Sequence, residues 1–332
     1  MRKLATIRTV NDTKPIEGAD MIELAVVDGW KCVAKKGEYH VGDAVIYCEI
    51  DSFLPVREEF EFLRKSSLKT MDDREGFRLR TLKLRGQISQ GLLLDPKILG
   101  RSFCVGEDVT DELGIVKYEA PIPASLGGVV VGGFPSFIEK TDEERIQNLA
   151  SDFDLYRDRT FYVSEKIDGT SFTAFVKDGE FGVCGRNWQL AEDKSNCHWT
   201  VVRALDIQSR LKGVGRSIAI QGELVGPGIQ RNRYSLKNLT VFVFNVYDID
   251  ASAYIEKAEM EEICRRLELP IVPPLGQMTI PNSLDAILEF ADGKSLLNPN
   301  TEREGLVWVS GSGEDRISFK TISNKFLAKH GD

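Results

Sequence analysis

The chain has 332 residues, 42% of them apolar and 28% charged, with a formal net charge of −8 at neutral pH. The length suggests two domains of a globular protein, and the acidic balance argues against a non-specific coat on nucleic acid without excluding a local basic face. No run of 18 apolar residues occurs, and the opening "MRKLATIRTVNDTK" has no apolar signal core, so the expectation is no membrane span, no secretory leader and a cytoplasmic location.

The first hundred or so residues read as short strands. "MIELAVVDGWKCVAKK" alternates around Asp28-Gly29, a strong hairpin signal. "GEYHVGDAVIYCEI" turns at Gly42-Asp43 and enters another strand, and "RLRTLKLRGQISQGLLL" follows. Short strands near every ten residues with Gly-rich turns predict a small barrel, of a size that suits a five-stranded OB-type barrel. In "FRLRTLKLR", Arg78 and Arg80 share parity with Leu82 and Leu84. A bulge or bend near Thr81 would resolve the slip. Residues 64–85 hold eight Lys/Arg against three Asp/Glu, a local basic stretch that reads equally as a solvated loop and edge strand.

Residues 118–136, "YEAPIPASLGGVVVGGFPS", are rich in Pro and Gly and predict a linker. "GGVVVGG" lacks the spacing and the following βαβ pattern of a dinucleotide fingerprint. "KTDEERIQNLASDFDLYRD" predicts a helix opened by a capping box, Thr141 with Glu144. From Phe161 onward strands dominate, with helices near 195–212, 254–267 and 282–292. The mixture predicts an α+β domain of antiparallel sheets flanked by helices. Domain boundaries follow at 1–118, 119–136 and 137–332. The six cysteines form no C-x-x-C pair and there are three histidines, which predicts a reduced compartment and no structural zinc. Cys197-His198 reads as incidental.

The chemistry centres on "VSEKIDGTSF". A lysine attacks phosphorus only as a neutral amine, so a nucleophilic Lys166 calls for a depressed pKa, nearby cations, and carboxylates able to hold a metal against a triphosphate. K-x-D-G alone is short. An ordered series follows it: Arg186-Asn187 in "CGRNWQL", Glu223 ending an apolar strand in "AIQGELVGPGIQ", Phe244 in "VFVFNVYDID", Glu304-Gly305 heading a strand in "TEREGLVWVS", and Lys320 and Lys325 in "RISFKTISNKFL".

This series resembles the covalent nucleotidyltransferases, the ATP-dependent polynucleotide ligases and mRNA capping enzymes, whose ordered motifs are K-x-D-G, an Arg, a Glu after a strand, an aromatic strand, an E-G strand and terminal lysines. DNA ligases and capping enzymes carry an OB domain after the terminal motif. Here twelve residues follow Lys320 and the barrel comes first. That order, with "LRGQISQGLLL" and "KTDEERIQNL", resembles the ATP-dependent RNA ligases with an N-terminal OB domain, and the resemblance spans nearly the whole chain. It implies an OB-like barrel followed by an adenylyltransferase domain. It further implies that Lys166 becomes lysyl-AMP, that AMP passes to an RNA 5′-phosphate, and that a 3′-hydroxyl then seals the ends, in RNA repair and on a nicked duplex.

The resemblance also implies site roles. Glu165 helps read adenine, Arg186 and Asn187 touch the ribose and phosphate end, Glu223 accepts from ribose hydroxyls, and Phe244 stacks on adenine. Asp168 and Glu304 hold Mg²⁺ or Mn²⁺. Lys320 contacts the α-phosphate and lowers the pKa of Lys166. Ser171 meets the RNA 5′-phosphate, and Gln147 is offered for the adenine pocket. The terminal motif departs from K-x-K, which leaves Lys325 in the second lysine's role only by proximity. On the barrel, Lys35, Lys36, Arg78, Arg80, Lys83 and Arg85 are candidate RNA contacts. Two rivals stand beside this reading: the same covalent chemistry on DNA nicks or, with GTP, on a cap, and an RNA-binding protein with an inactive catalytic domain.

Overall fold

The computed structural model describes residues 3–119, 130–312 and 315–330. Up to Lys117 the described chain forms four small antiparallel sheets. The Ala44–Cys48 strand explains why its sequence is apolar throughout. Val45 and Tyr47 enter one core with Val27, Trp30 and Leu93, while Ile46 and Cys48 enter another with Ile7, Leu54, Phe60 and Phe77. A strand buried on both faces needs an unbroken apolar run. Ile22–Val27 and Trp30–Lys35 pair across Asp28-Gly29, whose φ angles of 45° and 78° are the left-handed pair of a two-residue hairpin loop.

The parity slip in "FRLRTLKLR" is a break between sheets. Arg74–Arg78 pairs with Ser52–Pro55, Leu82–Leu84 pairs with Gln87–Ser89, and residues 79–81 lie outside both strands.

The rest of the chain builds two sheets. The seven-stranded one runs Val130–Gly133, Trp188–Leu190, Glu180–Cys184, Thr170–Lys177, Ile218–Val225, Thr240–Asp248, Ala253–Tyr254, antiparallel throughout. Helices Cys197–Ala204, Ile207–Lys212 and Lys257–Arg266 contribute to its core. The five-stranded one runs Glu144–Arg145, Ile317–Ile322, Gly305–Ser310, Phe161–Lys166, Pro274–Met278. Its core stacks Trp308 on Phe319 at 5.9 Å and sets Phe161 edge-on to both. Helix Leu284–Phe290 adds Ile287 and Leu288.

Two sequence expectations need correction. Val130–Gly133, read as linker, is an edge strand of the seven-stranded sheet, while residues 120–129 lie outside the described residues. The predicted capped helix at 141 does not form. Glu144–Arg145 instead pairs in parallel with Phe319–Lys320, and a kinked 3-10 helix, Ile146–Tyr156, starts after Arg145 with no side-chain cap. Tertiary pairing overrides the local capping signal there.

The two parts meet through specific contacts. Arg8 donates to the Gln147 carbonyl at 3.1 Å, Arg145 lies over the Trp30 ring, Lys83 donates to the Ala328 carbonyl, and Lys117 pairs with Asp142. The hairpin tip abuts helix Leu284–Phe290 so closely that a Cβ on Gly29 would come 2.9 Å from Leu284 Cδ2.

Candidate active site

Strand alternation builds the site. Along Phe161–Lys166, Phe161 and Val163 face the aromatic core, while Tyr162, Ser164 and Lys166 line a cavity of about 600 Å³. The neighbouring strands continue the row. Ser164 lies opposite Val307, and Val307 opposite Lys320, all three on the cavity wall. After Lys166 the chain leaves this sheet, turns through Ile167–Gly169, and enters the seven-stranded sheet at Thr170. The crossing is tight. A Cβ at Gly169 would sit 2.5 Å from the Leu224 carbonyl oxygen, so only glycine fits beside that backbone.

The far wall comes from the second sheet. Ser171 is opposite Glu223, and both line the cavity. In Thr240–Asp248, Gln221 pairs with Asn245 but Gly222 pairs with Val243, so Phe244 is the extra residue of a bulge. Phe244 and Asn245 are half-buried and line the cavity between buried neighbours. A bulge re-aims a side chain that strict alternation would have spent elsewhere.

Lys166 is ion-paired with Glu304 at 2.7 Å. Glu304 sits just before Gly305–Ser310, held there by the close pass of Gly305 over the Thr321 carbonyl. Burial pushes the lysine pKa down, but Glu304, Glu223 and Asp168 outweigh it and hold the amine above its ordinary value. The expectation that nearby cations lower this pKa is therefore not met: the three carboxylates set its direction, and Lys320 pairs with Asp142 at 3.4 Å. Burial raises all three carboxyls against the pull of Lys166, and Glu223 is pushed up to about 7.

Asp168 is fixed from one loop. Its carboxylate pairs with Arg233 at 2.8 Å, and its backbone N–H donates to the Tyr234 hydroxyl at 2.7 Å. Gln230 of the same loop donates to the Gly169 carbonyl. Glu165 is buried and lines the cavity. Its Oε2 accepts from Leu296 N–H, and Oε1 has no hydrogen-bond partner.

Asp142 collects three cations. It pairs with Lys117, with Lys320 at 3.4 Å, and with Arg186 at 3.7 Å. Burial would raise its pKa, but Lys320, Lys117 and Arg186 outweigh this and hold the carboxyl far below the usual range. Asp142, Arg186 and Ser171 also line a second cavity, of about 440 Å³, at the seam between the two parts of the chain, with Arg78, Lys117 and Tyr118.

The fold thus gathers Glu165, Lys166, Ser171, Arg186, Glu223, Phe244 and Lys320 around one cavity, with Glu304 and Asp168 beside Lys166. It does not gather all the expected residues. Gln147 is buried outside both cavities, its carbonyl held by Arg8. Lys325 is mostly exposed, pairs with Asp292, and is not among the cavity residues. Asn187 lines the seam cavity, where its side chain accepts from Lys140. The barrel cations do not converge either. Arg78 lines the seam, Lys83 reaches the C-terminal helix, and Lys35, Lys36, Arg80 and Arg85 are exposed without lining a cavity. Sequence reasoning missed Asp142, Arg233 and Lys257, whose Nζ lies 4.2 Å over the Tyr162 ring in the cavity wall. No spacing rule links them to Lys166.

Glu304 Oε2 is buried with no hydrogen-bond partner, and excess carboxylates around one lysine make hard oxygen donors that suit Mg²⁺ or Mn²⁺. Among the described residues, no group of three or more His, Cys, Asp or Glu stands ready as a ligand set. Phosphate oxygens would have to complete it.

Comparison with known proteins agrees with this arrangement. Residues 159–322 match the RNA ligase family, and residues 4–96 match an OB-fold domain. The chain is similar to a Naegleria gruberi RNA ligase variant with ATP and Mn, at 42% identity, TM-score 0.87, covering 99% of each chain. It is equally similar to that ligase with pyrophosphate (TM-score 0.85, 42% identity, 99% of each chain) and to a variant with AMP and Mn (TM-score 0.86, 42% identity, 99% of each chain). No curated protein matches the chain.

Proposed function

The chain belongs to the RNA ligase family, and from there we propose that it is an ATP-dependent ligase that joins an RNA 3′-hydroxyl to a 5′-phosphate through lysyl-AMP. The observation that carries this reading is Lys166 on the wall of the large cavity, 2.7 Å from the E-G glutamate, with Phe244 and Lys320 on the same walls. The Naegleria complexes with ATP, AMP, pyrophosphate and Mn support ATP and a divalent cation as ligands.

In the first step Lys166 Nζ bonds to the α-phosphorus of ATP and the bond to pyrophosphate breaks. The amine is protonated before this, so its proton must leave. Glu304 Oε1, hydrogen-bonded to the amine, is the first acceptor in its path, and the proton passes on to solvent so that the carboxylate is free to hold a cation. Asp168 and Glu304 are the residues that would hold a divalent cation, whose positive charge would favour the neutral amine and offset the triphosphate. Lys320 faces the phosphate region, and the bulged Phe244 offers a face for the adenine. Next, an oxygen of the RNA 5′-phosphate attacks the same phosphorus and Lys166 is released. Ser171 and Arg186, shared by both cavities, are suited to that phosphate. Finally the 3′-hydroxyl attacks the activated 5′-phosphorus and AMP leaves. A nicked duplex as substrate and a role in RNA repair extend this proposal.

The test is label transfer from α-labelled ATP with Mg²⁺ or Mn²⁺. Acid-labile label on the wild-type polypeptide and none on Lys166→Ala is the expected result. Label from GTP alone would move the reading to cap chemistry. No label from either nucleotide on folded protein free of bound AMP would overturn the enzyme reading.

A further inference from the structure

Three cations from distant parts of the chain meet on one carboxylate. Lys117 comes from Val116–Lys117 of the barrel region, Arg186 follows the Glu180–Cys184 strand, and Lys320 comes from the Ile317–Ile322 strand of the five-stranded sheet. Asp142 belongs to none of these elements and precedes the Glu144–Arg145 strand. Cations held close together repel unless an anion sits among them. In this structure the anion is Asp142, on the shared rim of the two cavities. Its side chain is 31% exposed, so it has solvent to turn into.

A phosphate chain presents the same chemistry as this carboxylate, with more charge and more acceptor oxygens. Any N–H that turns to the phosphate is lost to Asp142, so the two compete for these donors. We propose that Asp142 is a positioning residue that stands in for phosphate, holding Lys117, Lys320 and Arg186 together until the polyphosphate of the nucleotide displaces it. This rests on the nucleotide-transfer reading above and assigns to Asp142 a competing role. Until that displacement Asp142 keeps the cations assembled. It also weakens the grip on polyphosphate, which eases departure of pyrophosphate once it has formed.

The test compares Asp142→Asn and Asp142→Ser with wild type, using inorganic tripolyphosphate and adenosine as separate probes in calorimetry, and pyrophosphate as an inhibitor of label transfer to Lys166. Removing one partly exposed competing charge should tighten tripolyphosphate binding about three- to tenfold. Adenosine binding should stay the same, and pyrophosphate should inhibit at correspondingly lower concentration. Asp142→Glu, which keeps the charge, should remain near wild type. Unchanged or weakened tripolyphosphate binding in the variants that melt cooperatively would overturn the proposal and make Asp142 a mere brace for the lysines. Absence of label on the wild-type protein would instead defeat the underlying reading, while the tripolyphosphate comparison still decides the role of Asp142.

Discussion

A lysine surrounded by carboxylates stays protonated, and it can attack phosphorus only after losing that proton. Because Glu304, Glu223 and Asp168 hold Lys166 protonated against the effect of burial, label incorporation should climb as pH rises from neutral into the alkaline range. A pH series of single-turnover adenylylation checks this, and Glu304→Gln should slow the step at every pH. Glu223 makes a separate expectation about stability. Burial raises its folded pKa to about 7, above the ordinary 4.5. A raised acid favours folding while protonated, so its contribution is full below about pH 4.5 and is lost as pH climbs through 7. Glu223→Gln should therefore gain on wild type by about 3 kcal/mol between those limits, on the order of the shift in question. Denaturant melts of both proteins at either end of the window measure it. Lys166, Glu223 and Glu304 are legible in the sequence because they fall in an ordered series, Lys166 three residues before Gly169 and the two glutamates each next to a glycine. Asp142 and Arg233 are not legible, since their partners are supplied by folding: Arg233 reaches Asp168 from a distant loop, and Asp142 meets Lys117 from before it in the chain and Lys320 from far after it.

Strand parity is the next level at which the site is set. The bulge between Gln221 and Gly222 decides that Phe244 faces the cavity while Val243 and Val246 stay in the core. Phe244→Ala should weaken nucleotide binding by a factor read directly in a titration, with little change in the melt. Trp308, in contrast, is fully buried and stacked on Phe319. Trp308→Ala should cost about 3–5 kcal/mol of stability in urea unfolding. The Asp28-Gly29 hairpin, the strand at Ala44 and the later helices were readable because local turn chemistry and periodicity agree with the fold there. The capping box at Thr141 misled because the backbone of Glu144–Arg145 is claimed by Phe319–Lys320, a partner that no window on the sequence contains. Gly305 belongs to the E-G motif, and the structure adds that it lets two strands pass closely enough to set Glu304 against Lys166.

At the scale of the whole molecule, the barrel region and the catalytic sheets are tied by Arg8, Lys83 and Lys117, and the second cavity lies along that seam. Arg80 and Arg85 stay exposed on the barrel. If they meet the RNA backbone, Arg80→Ala with Arg85→Ala should lower RNA affinity and reduce its salt slope by up to about 2, leaving label on Lys166 unaffected. A filter-binding series across salt concentrations measures this. The order of the strands also has a consequence for how the protein is made. Lys166 is paired with Gly305, and Glu144–Arg145 waits for Phe319–Lys320. On the ribosome, Lys166 is synthesised long before Glu304 and before the strand that carries Lys320. Contacts of such long sequence separation form late and slowly. A nascent chain stalled before Gly305 should accept no AMP, however complete its K-x-D-G motif, so the enzyme is silent until almost its last strand has emerged.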